Sequence, residues 1–150
     1  MKEREFVDKC LSKKLHGVPD TKSSLSNMVD DITYMLTEPG LINITRKNIK
    51  QVADASKNLV GLSAESKGKH RAKMVGEKLV SLLPSTFRKN KPTSALFNVI
   101  GDSDLALYEV NDIANYVYDM VDPKANIIFG ATINDNKKGY IKTTVVFGCN

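Results

Sequence analysis

The stretch EPGLINITRKNI, Glu38 to Ile49, joins two segments of helical periodicity, and its punctuation sets the fold. Pro39-Gly40 cannot continue a helix, so the segment before it ends there. Thr45 has a hydroxyl that can accept from the free N–H groups of a first helical turn, which predicts a second helix from Thr45 with Ile49, Val52 and Ala53 on one face, stopping near Ser56. Upstream, Leu25, Met28, Val29, Ile32, Met35 and Leu36 repeat at helical spacing and predict a helix over 24–38.

Working towards the C-terminus, NLVGLS (58–63) is a short apolar run that predicts a buried strand, followed by a polar turn, AESKG. A third helix is predicted from about Lys69 to Leu83, with Ala72, Val75, Leu79, Val80 and Leu83 inward and Pro84 closing it. The basic loop FRKNKPT leads into a strand, SALFNVIG (94–101). After DSDLA, a fourth helix spans 108–121 with Val110, Ile113, Ala114, Val117 and Val121 inward, and Asp122-Pro123 breaks it. Two strands finish the chain, NIIFGATI (126–133) and YIKTTVVFG (140–148), and their short link NDNKKG predicts an antiparallel hairpin. Strands alternating with helices imply a helix-covered sheet. Gly17 and Pro19 interrupt the first residues, so 1–23 is read as a lead-in without an assigned structure.

A chain of 150 residues, 41% hydrophobic, can bury one sizeable core and is read as one domain. No apolar run approaches the roughly 18 residues of a membrane span. The N-terminus is charged and lacks the apolar core of a secretion signal, so a cytoplasmic protein is expected. Cys10 and Cys149 lie far apart without metal-ligand spacing and are expected to be free thiols. The net charge of +5 permits an acidic partner. Its densest groups, Lys13-Lys14, Lys67–Lys73, Arg88–Lys91 and Lys137-Lys138, are not interleaved with aromatics, which argues for solvated surface and against nucleic acid.

The residues alone offer no convincing active site. GLSAESKGKH (61–70) sits where a phosphate loop would, between strand and helix, but fails the spacing, and His70 stands where a magnesium-binding hydroxyl is needed. His16 and His70 have no partners in a triad pattern. Asp30 and Asp31 point about 100° apart on a helix. Asp102 and Asp104 precede a helix, where carboxylates cap free N–H groups, and capping is the preferred reading.

Four segments carry a family resemblance. PGLINI followed by a helix resembles the synergy loop of FtsZ, the bacterial tubulin homologue, with a pattern close to PGLxNxDxxD. SKGKHRA (66–72) resembles its SGxxRA, SALFNVIGDSDLALYEV (94–110) its NITAG-x-DLxLxEv segment, and TTVVFG (143–148) its last strand, TVVATG, in the family's order. The resemblance covers the C-terminal half of that family, with 24–38 as its central helix and 39–150 as the domain proper. It implies a two-layer α/β domain with a mainly four-stranded mixed sheet. The GGGTGTG-type loop of the nucleotide-binding half has no counterpart, so no cofactor is expected on this chain. GTP and magnesium are expected only with a nucleotide-binding domain or a partner subunit.

In that family the loop of one subunit enters the GTP site of the next, and its two acidic residues position the attacking water. Here Asn43 matches the loop asparagine, Thr45 and Asn48 occupy the acidic positions, and Arg46 and Lys47 lie between them. A hydroxyl and an amide are not bases near neutral pH, so no catalytic residue is assigned and the chain is not expected to be an enzyme. Two readings stay open for the loop. It is either a plain helix start, with Thr45 as N-cap, or a contact surface of Asn43, Thr45, Arg46, Lys47 and Asn48 that docks on a nucleotide face without triggering hydrolysis.

The resemblance thus implies a cell-division polymer component whose partners are FtsZ-type subunits or its own nucleotide-binding domain. The alternatives are a standalone domain that docks on FtsZ-type filament ends and blocks growth, and a basic module for nucleic acid or anionic surfaces.

Overall fold

The computed structural model describes residues 2–18, 21, 23–38 and 40–150, the side chain of Lys137 excepted. Pro19 and Pro39, read above as helix breakers, lie outside the described residues. The chain order is α1 (Glu3–Leu11), β1 (Leu15–Gly17), α2 (Leu25–Thr37), β2 (Gly40–Ile42), α3 (Arg46–Ala55), β3 (Asn58–Lys67), α4 (Arg71–Leu82), β4 (Ser94–Gly101), α5 (Leu107–Met120), β5 (Asn126–Ile133) and β6 (Tyr140–Cys149). Short 3-10 turns stand at Ser85–Arg88 and Asp135–Lys137.

The central strands are apolar on both faces, because successive residues point to opposite sides of a sheet. Leu59, Leu96 and Val146 meet Met28, Ile32, Ile49 and Val52 on one side. Leu62, Phe97, Val145 and Phe147 meet Val75, Leu79, Ile113 and Val117 on the other. Each such side chain, fully buried, contributes about 1.5–3 kcal/mol. The sheet therefore needs a helical layer on each face: α1, α2 and α3 on one, α4 and α5 on the other.

This corrects the expected two-layer, four-stranded arrangement. The domain has three layers and a six-stranded mixed sheet in the order β1-β3-β6-β4-β5-β2. The four expected strands are its middle four. The lead-in supplies β1, parallel to β3, and α1, whose Val7 and Leu11 are fully buried, while Gly40–Ile42 adds β2 along the far edge. The expected hairpin of the last two strands is also absent. β5 pairs with β4 in parallel, and β6 passes over to lie antiparallel between β3 and β4. Burial accounts for this, because the apolar run Val145–Phe147 of β6 gains a neighbour on each side in the centre, where all three are fully buried.

Smaller differences follow the same logic. AESK is strand rather than turn, since Ala64 and Ser66 continue the inward alternation of β3 opposite Thr143 and Ile141. The reversal falls at Gly68, whose φ of +97° suits glycine. Leu25 and Val80, predicted inward, are exposed.

Candidate functional site

The loop at 40–48 is held at both ends. Gly40 pairs with Thr132 of β5, and a Cβ at this position would lie 2.2 Å from the Ala131 carbonyl oxygen, so only glycine permits the approach. At the other end Thr45 is the N-cap of α3. Its backbone N–H donates to Asn48 Oδ1 at 2.9 Å, its hydroxyl donates to the same oxygen at 3.1 Å, and the Asn48 N–H reaches Thr45 Oγ1 at 3.4 Å. Thr45 and Asn48 are thus occupied with each other in a reciprocal cap.

Arg46 turns away from the loop. Its guanidinium bonds Glu3 of α1, with Nε at 2.7 Å from Oε1 and Nη2 on the same oxygen, and stacks 4.9 Å from the Phe6 ring centroid. The guanidinium holds the Glu3 carboxyl below its ordinary range, and Glu3 raises Arg46 in return. Asn43 and Lys47 are exposed. Of the five predicted contact residues, the structure therefore leaves Asn43 and Lys47 facing solvent, closes Thr45 onto Asn48 and ties Arg46 to α1.

Two polar constellations escaped the reading by pattern alone. The first links α2 to the sheet. Asp31 Oδ2 accepts from Thr144 Oγ1 at 2.7 Å and lies 2.9 Å from Lys142 Nζ, Asn98 Nδ2 donates to the Asp31 carbonyl at 2.6 Å, and Ser63 and Thr144 hydroxyls meet at 2.6 Å. Asp30, by contrast, points outward to Arg4 Nε at 2.7 Å. The signal was available: Asp31 is three residues from Met28 and four from Met35, on the apolar stripe of α2.

The second constellation joins two of the motif segments. Arg71 of SKGKHRA donates to Glu109 of DLALYEV through Nε at 2.7 Å and Nη2 at 2.8 Å, and to Asp104 at 3.1 Å. Glu109 Oε1 also accepts from the Ala106 N–H at 3.1 Å, so Glu109 serves the start of α5. Hydrogen bonding to Arg71 pulls the Glu109 carboxyl below its ordinary range. The predicted helix caps Asp102 and Asp104 do other work. Asp102 binds the backbone N–H groups of Asp104 and Gly139, and Asp104 turns to Arg71. Sequence spacing could not pair residues 38 positions apart.

His70 stands exposed at the start of α4 without a side-chain cap, and His16 is exposed on β1. Both cysteines are unpaired, and burial pushes their thiols up. Among the described residues no group of three His, Cys, Asp or Glu side chains could hold a metal ion, and no helix is long and apolar enough to cross a membrane.

A mixed sheet clasped between helices, whose edge strand β2 opens the loop, is an α/β fold of the tubulin-like class. The chain belongs to the FtsZ family, whose C-terminal domain matches residues 57–149. It is 35% identical over 130 residues to the cell division protein FtsZ of Magnetospirillum gryphiswaldense, covering 79% of this chain and 23% of that protein. To the FtsZ of Caulobacter vibrioides it is 36% identical over 125 residues, covering 81% and 24%. The chain thus spans about a quarter of the length of these relatives. Among solved structures, a point variant of FtsZ from M. jannaschii superposes with a TM-score of 0.75 at 30% identity, over 83% of this chain and 37% of that one. An empty FtsZ dimer from M. jannaschii gives 0.74 at 26% identity, over 97% and 43%.

Proposed function

We propose that this chain is the polymer-interface half of an FtsZ-type cell-division protein, and that its loop docks on a partner's nucleotide face without driving hydrolysis. The observation that carries this reading is the reciprocal cap of Thr45 and Asn48. At the positions where the family places carboxylates, this loop keeps a rigid helix start and has no base. Activating water in line with a γ-phosphate needs a group that orients it and takes its proton, and neither a hydroxyl nor an amide does so near neutral pH. GTP and magnesium belong, in this reading, to a nucleotide-binding domain or a partner subunit, and the chain by itself is not an enzyme. Asn43 and Lys47 make the polar contacts of the docked loop.

The test is phosphate release by a chimera that joins this domain to a functional FtsZ nucleotide half. Replacing both Thr45→Asp and Asn48→Asp preserves the helix start, because aspartate is a good N-cap and favours the first turn. Turnover should rise in the substituted chimera, by up to about 10² to 10⁴ for a positioned base. Brisk hydrolysis by the unsubstituted chimera would overturn the reading.

One feature supports a second reading. α1 covers α2 and α3 with Val7 and Leu11, closing the apolar face of these helices within the chain. Such a domain could act by itself on the ends of FtsZ-type filaments. In that case the free chain should shorten filaments at substoichiometric amounts, measured by co-sedimentation.

A further inference from the structure

We propose that one end of the sheet is a contact surface for an anionic membrane. The strand pairing brings Leu15, Leu59, Ser94 and Asn126 into one row, since Leu15 lies opposite Leu59, Leu59 opposite Gly148, Gly148 opposite Ser94 and Ser94 opposite Asn126. Neighbouring strands are about 4.8 Å apart, so these five strand ends span roughly 19 Å. Each segment entering the sheet here carries an exposed cation: Lys13 before β1, Lys57 before β3, Arg88, Lys89 and Lys91 before β4, and Lys124 before β5. None of these six side chains makes an ion pair or hydrogen bond within the described residues.

The loops are fixed rather than floating. The N–H groups of Lys57, Thr93, Asp122 and Asn126 donate to Cys149, Gly148, Pro92 and Thr93 carbonyls at 2.9–3.2 Å, and Phe87 packs edge-to-face on Phe147 with centroids 6.0 Å apart. That inward anchor leaves Arg88, Lys89 and Lys91 outside. Fewer acids than cations stand nearby: Asp119 is exposed in the last turn of α5, Asp122 accepts from the Lys124 N–H at 2.8 Å, and Asp54 pairs with Lys50 at 2.7 Å. At the opposite end of the sheet, Asp102, Asp104 and Asp135 are interspersed with the lysines. The rim at the strand starts therefore carries six exposed cations and fewer acids.

A row of exposed cations along one rim fits the extended negative charge of an anionic membrane surface. A nucleic-acid strand is the poorer fit, because these loops offer no exposed aromatic for a base to stack on. Binding should be electrostatic and weaken with salt.

The experiment is co-sedimentation of the chain with vesicles of phosphatidylcholine alone and vesicles with an equal share of phosphatidylglycerol. Binding to the mixed vesicles only, with release at raised salt, is expected. The triple variant Lys57→Glu, Lys89→Glu, Lys91→Glu should bind on the order of a hundred-fold more weakly, about five-fold for each cation lost. A control with the same net charge, Lys69→Glu, Lys73→Glu, Lys138→Glu, should stay within several-fold of the parent. Thermal unfolding verifies that each variant is folded, and Lys→Gln replacements at the same three positions serve if the reversed charges unfold it. The proposal fails if the parent ignores anionic vesicles, or if both triple variants lose binding equally. It also fails if an oligothymidylate binds more tightly at the same salt and loses that binding through the rim substitutions.

Discussion

Two arginine–carboxylate pairs sit on opposite faces of the same sheet and differ mainly in their access to water. Arg71 and Glu109 have side chains 7% exposed each, and they join α4 to α5 across two motif segments. Arg46 and Glu3 are 40% and 31% exposed, and they join α3 to α1. In a dry site, removing one partner strands a buried charge, whereas in a wet site solvent replaces the lost partner. Similar chemistry therefore fixes the fold in one place and only orients a loop start in the other.

The largest expected effect follows from the dry pair. Arg71→Met should destabilise the domain by about 3–5 kcal/mol, read from urea unfolding, because Glu109 is left buried without its partner. Replacing both residues with apolar side chains should recover much of that loss. A single variant costing as little as a surface substitution would erase the contrast between the two pairs. The pair also sets a pH dependence. The Glu109 carboxyl titrates below its unfolded value in the folded state, so its stabilisation is fully present above the unfolded value and is lost as pH falls through the folded one. Unfolding midpoints measured down an acid series should fall for the parent and flatten for Glu109→Gln.

The next effect is steric. Gly40→Ala would push a methyl group into the Ala131 carbonyl, and it should cost about 1–3 kcal/mol by urea unfolding while loosening β2 from the sheet edge. An alanine tolerated without loss would mean that β2 shifts freely and that the loop is not positioned by β5.

How much of this was legible follows from what each element rests on. Helices α2 to α5 and the middle strands rest on local periodicity, and their ranges match within two residues except at β3, which runs four residues beyond its predicted end. The path of β6 did not, because the preference of Val145, Val146 and Phe147 for the sheet centre is a property of the whole sheet and not of the short link before it. α1 and β1 were invisible for a related reason. Val7, Leu11 and Leu15 form a sparse apolar series that becomes a core only against Met28, Ile49 and Leu59. At the site, the residue types were legible but their bonding was not. Thr45 as a cap follows from its place at a helix start, whereas Arg46 finds Glu3 from 43 positions away.

The third effect concerns that cap. Thr45→Ala removes the side-chain acceptor for the Asn48 N–H and should cost about 1 kcal/mol, while Thr45→Asp should retain the helix start. Equal losses for both would show that the cap is dispensable and that the loop takes its order from β2 alone.

The smallest effect belongs to the wet pair, and it tests the comparison from the other side. Glu3→Gln leaves Arg46 stacked on Phe6, with water free to solvate the guanidinium, so unfolding should shift less than in Thr45→Ala. A double-mutant cycle over Glu3→Gln and Arg46→Gln isolates the interaction, and repeating it at raised salt separates exposed from buried behaviour. The coupling should fade with salt, whereas the coupling between Arg71 and Glu109 should persist, because counterions screen charges that solvent reaches and leave dry pairs nearly untouched. A salt-resistant coupling between Glu3 and Arg46 would mean that α1 seals this corner from water. Arg46 would then be as firmly withheld from any docking partner as Arg71 is from solvent.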